Sequence, residues 1–156
     1  MLRTDDWRIW RRLRREALAE APAAFGSTLA EWSGPGDTEA RWRARLTDVP
    51  FNVIVRRHGI PAGMVSAYRA ENAAAELISM WVAPFARGLG VADAAVHAVL
   101  RWADGRAVGL SVKTGNQAAI RLYERHGFTD AGRSPDDADE RRMLRPARMV
   151  QMSDAR

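Results

Sequence analysis

Between a strand-like run that closes at Trp81-Val82 and an apolar helix-like run that reaches Trp102 stand six residues, Arg87-Gly88-Leu89-Gly90-Val91-Ala92. No other stretch constrains the fold as strongly. Two closely spaced glycines let successive backbone N–H groups turn toward one point, and the first turn of the following helix adds unpaired donors and a positive dipole end. The dipole alone offers a bound anion only about 0.3–1 kcal/mol at an exposed site. Several N–H groups and Arg87 must therefore converge on the guest, for which a phosphate has the right chemistry.

The rest of the chain is a mixture of helices and strands around this unit. Asp5 to about Ala21 is helical, capped by Thr4 or Asp5, with Trp10, Leu13 and Ala17 on one face and Pro22 after it. Phe25 to Leu29 is a loop or a short helical turn, and the breaker Ser33-Gly34-Pro35-Gly36 precedes a second helix from Asp37 or Thr38 to Leu46. Phe51-Asn52-Val53-Ile54-Val55 and Pro61 to Tyr68 pair as a hairpin about Arg57-His58-Gly59. A third strand spans roughly Ala75 to Val82 and leads into the glycine loop and its helix. Ala107 to Val112 enters as a strand beside the third, Asn116 to Arg125 is a short helix stopped at Gly127, and Phe128 to Ala131 with Arg142 to Val150 supply a last hairpin. Its acidic turn, Asp136-Asp137-Ala138-Asp139-Glu140, is either a solvated loop or a segment that moves with substrate.

Several phosphate-loop families fail at single residues. A dinucleotide fingerprint needs a third glycine where the chain has Asp93, and a P-loop needs Gly-Lys-Ser/Thr, whereas the single lysine, Lys113, follows Val112. Nothing around Lys113 recommends it as a pyridoxal Schiff base. The segment instead resembles the Arg/Gln-x-x-Gly-x-Gly/Ala pattern of the GCN5-related N-acetyltransferases (GNAT), filled by Arg87, Gly90 and Ala92. Glu76-Leu77-Ile78-Ser79-Met80-Trp81-Val82-Ala83-Pro84 resembles that family's preceding strand, and Asn116 through Phe128 its other signature. The resemblance covers about Ala75 to Phe128.

It implies a GNAT-like α/β fold: a mixed, mostly antiparallel twisted sheet of six to seven strands, about four flanking helices, and two central parallel strands splayed at a cofactor cleft. Acetyl-CoA would lie there with its pyrophosphate on the loop, held by Arg87, Gly88, Leu89, Gly90, Val91 and Ala92, and its pantetheine in the apolar slot between the strands. The family normally opens with a strand before the first helix, for which Met1-Leu2-Arg3 leaves scarcely room. The substrate half of the chain matches least.

Amine acetylation needs a neutral amine, a polarised thioester carbonyl and a proton for the departing thiolate. Cysteine is absent, so direct attack in a ternary complex is the simpler scheme. Tyr123 stands where the family commonly supplies the general acid, set against the plainer role of a core tyrosine. Glu76 is the candidate base, set against an exposed strand-end glutamate or ordered water in its place. Backbone N–H groups near Trp81 and Val82 are expected to hold the acetyl carbonyl or pantetheine, through an irregularity that frees them from the ladder. Asn116 fixes the cofactor arm or caps its helix. His58, His97 and His126 are scattered without a second ligand at metal spacing, so no metal is expected. Most of Trp7, Trp10, Trp32 and Trp42 are read as core, with Phe25 or Trp32 as candidates to line an acceptor pocket.

Length and composition fit one water-soluble domain over residues 1–156. Net charge is +5 and the isoelectric point about 10.8, yet 24 basic side chains include one lysine, and the arginines of the first helix lie mostly opposite its apolar face. A nucleic-acid partner would leave both cofactor motifs without a purpose. No signal-peptide core and no run near ~18–20 apolar residues is present, so no membrane association and a cytoplasmic location are expected. The leading reading is an acetyl-CoA-dependent N-acetyltransferase acting on a small-molecule or peptide amine. A non-catalytic acyl-CoA sensor of the same fold is the alternative, and the family resemblance leaves a homodimer open.

Overall fold

A computed structural model describes residues 1–149. Its α-helices are α1 (Trp7–Glu20), α2 (Glu39–Asp48), α3 (Val91–Ala103) and α4 (Gln117–Arg125). Its strands are β1 (Phe51–Arg57), β2 (Ile60–Arg69), β3 (Ala75–Val82), β4 (Val108–Lys113), β5 (Thr129–Arg133) and β6 (Glu140–Arg145). They form one six-stranded sheet in the order β1-β2-β3-β4-β6-β5. Every neighbouring pair is antiparallel except β3 and β4. The mixed, mostly antiparallel sheet with four helices expected from the sequence is the fold observed.

Helix α1 buries Trp10, Leu13, Arg14, Ala17 and Leu18, the spacing of one helical face. Trp10, Leu13 and Ala17 pack with Trp42 and Leu46 of α2 against Met64 and Trp81 on one side of the sheet. On the other side Ala95, Val96 and Val99 of α3 and Leu122 of α4 meet Val65, Ala67, Leu77 and Leu110. Strand β2 runs between these layers, which is why it is buried continuously from Ala62 to Ala67 rather than at alternate residues. Each fully buried aliphatic side chain contributes about 1.5–3 kcal/mol relative to exposure.

At the N-terminus the structure agrees with the little room that Met1-Leu2-Arg3 leaves for a strand, and at the last strand it departs from the expected end. Among the described residues no strand precedes α1; Leu2 N–H donates to Asn52 O at 2.8 Å, so a single hydrogen bond stands at the β1 edge. The final strand stops at Arg145, where Pro146 follows and offers no donor to the ladder; Val150, the expected end of that strand, lies outside the described residues.

The site is prepared by two irregularities in β3. Met64 pairs with Trp81 and Ser66 with Ile78, so Ser79 and Met80 together oppose one residue of β2, a β-bulge in which Ser79 adopts φ +56°. The parallel pairing of β3 with β4 is confined to Ala75 with Val108 and Glu76 with Gly109. Beyond Glu76 the two strands separate, and the gap opens toward the glycine loop. The bulge falls just ahead of Trp81 and Val82, in the strand for which the sequence predicts an irregularity.

Candidate active site

The loop after β3 uses its glycines in the left-handed region, Gly88 at φ +74° and Gly90 at φ +83°, with open space where a Cβ would stand on either. Gly90 is the residue immediately before α3, so the loop delivers the chain into the helix with its first N–H groups uncovered. Val91 is buried against Gly63 of β2, where any Cβ would lie 2.8 Å from its Cγ1. That close approach anchors the helix start to the sheet.

A cavity of about 760 Å³ runs from this loop into the gap between β3 and β4. Trp81, Val82, Arg87, Gly88, Gly90 and Ala92 line its loop end, and Asn116 and Tyr123 line its α4 wall. Leu89 and Val91 do not: Leu89 is 47% exposed, and Val91 belongs to the core. The residues are thus gathered by three elements, the end of β3, the loop and α4.

Arg87 is held rather than free. Its Nη2 donates to Glu20 Oε2 at 2.7 Å and its Nε to Val82 O at 3.2 Å, while Trp81 Nε1 donates to the same Glu20 oxygen at 2.9 Å. The hydrogen bonds from Arg87 and then Trp81 hold the Glu20 carboxyl below the usual carboxylate range. Asp93, where a dinucleotide loop would have glycine, lies 2.8 Å from His126 Nε2 and accepts from Arg125 at 3.2 Å. Its negative charge beside the glycine loop is therefore compensated from the end of α4, and its carboxyl is lowered chiefly by the His126 contact. Among the described residues no group of ligands could hold a metal.

Asn116 accepts from Ala119 N–H at 3.2 Å, the N-cap of α4. Tyr123 follows two turns later, 5% exposed, with its ring edge-on to Phe128 at 5.7 Å. Among the described residues its hydroxyl has no hydrogen-bond partner, and burial pushes its pKa above the ordinary phenol value. It is a neutral donor throughout the physiological range.

Glu76 does not reach this cavity. It lines a second one of about 610 Å³ and is gripped by Arg142 of β6, whose Nη1 and Nη2 both donate to its carboxylate, the latter at 2.9 Å. The fork crosses β4 above Gly109, where a Cβ would stand 2.5 Å from Arg142 Nη2. The two cavities meet: Phe25, Leu77, Ile78, Ser79 and Ser111 line both. The bulge and the strand gap are thus their common wall, and Phe25 is brought there as a lining residue. Trp32 is not; it packs on Trp42 at 4.3 Å beneath the Arg41 guanidinium.

A polar network that sequence reading missed supports the bulge. Arg45 of α2 donates to Asn52 Oδ1 at 2.9 Å and to Ser66 Oγ and Ser79 Oγ at 3.2 Å each, and Ser66 Oγ donates to Asn52 Oδ1 at 2.7 Å. The buried Asn52 and Ser66 were the available signal, polar residues at core positions of two adjacent strands. Glu20 gave no such signal, since it ends a solvated arginine-rich helix.

Fold and cavities together define a mixed α/β protein with a glycine loop at a helix start beside a split parallel strand pair. The family model described as "Acetyltransferase (GNAT) family" matches residues 8–128. An uncharacterised N-acetyltransferase of Mycobacterium bovis is 32% identical over 116 residues, covering 71% of this chain and 74% of that protein. The chain belongs to the GNAT acetyltransferase family. In fold it is similar to yncA of Salmonella typhimurium, solved with its cofactor acetyl-CoA, at a TM-score of 0.73 and 17% identity over 99% of this chain and 96% of that one. It is likewise similar to the PaiA N-acetyltransferase of Thermoplasma acidophilum in complex with coenzyme A, at a TM-score of 0.70 and 14% identity over 93% and 95%. No helix of the described residues is long and apolar enough to cross a membrane.

Proposed function

We propose that the chain is a single-domain N-acetyltransferase that moves an acetyl group from acetyl-CoA to an amine within a ternary complex. The observation that carries this reading is the meeting of the two cavities at the β3 bulge: one has the chemistry for a phosphate-bearing arm, the other is a polar pocket for an acceptor. Twin left-handed glycines without Cβ atoms, the open start of α3 and the apolar strand gap fit a pyrophosphate and its pantetheine. Solved relatives of the same fold hold acetyl-CoA and CoA. When bound, acetyl-CoA supplies an activated acetyl thioester.

The residues divide the remaining work. Backbone N–H groups of Gly88 to Ala92, with Arg87, hold the phosphates; backbone N–H groups near Trp81 and Val82 that are not taken up by β2, such as that of Val82, hold the arm or the acetyl oxygen where β4 no longer pairs. The acceptor nitrogen forms a bond to the acetyl carbon, the C–S bond breaks, the nitrogen loses a proton and the sulfur gains one. Tyr123, protonated at neutral pH, donates to the departing sulfur. Glu76 takes the amine's proton through the lone pairs that Arg142 leaves uncovered, directly or through water. Asn116 lines the arm's cavity while its oxygen caps α4. The acceptor class at this level is an amine, small or peptidic.

A thiol-release assay with acetyl-CoA over amino acids, polyamines, aminoglycosides and peptide N-termini tests the reading. Acceptor-dependent thiol release supports it. Tight acetyl-CoA binding with no release across the panel points instead to a sensor of the same fold.

A further inference from the structure

The second cavity has two walls of opposite character. On one stand Glu76, Asp136 and Glu140; on the other stand Arg14 and Arg45. The acidic wall is partly neutralised, Glu76 by Arg142 and Glu140 by Lys113 at 3.3 Å. The basic wall is not.

Arg14 is only 8% exposed, and its Nη1 is buried with no hydrogen-bond partner among the described residues. No carboxylate of the described residues lies within ion-pair distance of it or of Arg45. Several arginines of the same layer are paired, Arg11 and Arg15 with Asp37 and Arg43 with Asp5 and Glu39. Arg45 spends its donors on neutral oxygens of Asn52, Ser66 and Ser79. Burial lowers both guanidinium pKa values to about 10, joined for Arg14 by the charge of Arg45 and opposed for Arg45 by the more distant Asp48, so both remain cationic at neutral pH. A buried cation without a counter-ion is unfavourable, and a planar guanidinium edge pairs best with a carboxylate. Arg14 is stacked on Phe25 at 4.6 Å, a geometry that covers its face and leaves its edge for an incoming group.

We propose that the acceptor is a small amine that also bears a carboxylate, an amino acid in chemical class, with its carboxylate on Arg14 and Arg45 and its amine toward Glu76 and the bulge. The inference rests on the acetyl-transfer reading above and narrows its acceptor. A polyamine would set a second ammonium against the two guanidiniums. A cavity of about 610 Å³ is of small-ligand size and accommodates an amino acid with a substantial side chain.

The test pairs each proteinogenic amino acid with its carboxamide in the thiol-release assay, on the full chain. The best amino acid is expected to exceed its amide in kcat/KM by at least about 10-fold, the worth of a charged hydrogen-bonded contact. Arg14→Gln is expected to raise KM for the acid by about the same factor while leaving KM for the amide and the calorimetric affinity for acetyl-CoA unchanged. Arg12→Gln, on the solvated face of α1, keeps the wild-type preference. Equal use of acid and amide by the wild type overturns the inference even if Arg14→Gln fails to fold, as does an Arg14→Gln loss equal for both. Release with amides or peptides but no free amino acid also overturns it. An absence of acetyl-CoA binding overturns the transferase reading itself.

Discussion

Tyr123 is the residue on which the proposed chemistry turns, and its environment sets a checkable constraint. Burial against Phe128 disfavours the phenolate, so the hydroxyl stays protonated well past neutrality and loses its proton only above the ordinary tyrosine range near ~10. Tyr123→Phe is expected to lower kcat on the order of 10²-fold with acetyl-CoA affinity near that of the wild type, and the wild-type rate should show no alkaline decline below pH ~10 that the phenylalanine variant lacks. Turnover unchanged in the variant would reassign Tyr123 to packing. This position was legible only through the resemblance of Asn116 to Phe128 to the family's signature, since a tyrosine on a short helix is by itself more often core. Glu76 was legible in place but not in company: nothing in a linear chain indicates that Arg142, 66 residues away, crosses β4 over Gly109 to hold it.

At the scale of elements, the two helices that line the second cavity through Arg14 and Arg45 are joined through Asp37. Its carboxylate accepts from Arg11 Nε at 2.7 Å and from Trp42 Nε1 at 2.8 Å, with Arg15 at 3.4 Å, tying α1 to the entry of α2. The Arg11 hydrogen bond foremost, then that of Trp42, depresses the Asp37 pKa far below its usual 3.8. A depressed carboxyl contributes stability that is fully present above its unfolded value and is lost as pH falls through the folded one. Asp37→Asn should therefore lower the Tm clearly at pH 7, and the gap to the wild type should shrink progressively below pH ~4. A gap that stays constant down to pH 2 would contradict this assignment. Helices and strands were readable here because periodicity and capping are local: α1, α2, β3 and α4 begin and end near their expected residues. The bulge at Ser79 was expected but not located, since its left-handed backbone depends on Arg45 reaching across from α2.

For the whole molecule, the cofactor half was far more legible than the acceptor half, and the reason is physical. The phosphate recognition proposed here is a property of backbone, so it requires glycines at fixed spacing next to a strand and a helix, and those can be read in a line. The proposed acceptor pocket is built of side chains drawn from α1, α2, β3, β6 and the turn before β6, whose association exists only once the sheet has split at Glu76 and Gly109. Arg14 read as one of several arginines on a solvated helix; only its burial sets it apart. The account stands on the claim that the glycine loop and the strand gap hold acetyl-CoA. Calorimetric titration of acetyl-CoA into the wild type and into Gly90→Val tests it most directly, because valine at φ +83° is strained while nothing crowds its side chain. Saturable one-to-one binding by the wild type, weakened at least about 10-fold in a variant that remains folded by circular dichroism, is the predicted result. No binding by the wild type, or equal binding by both, would contradict it.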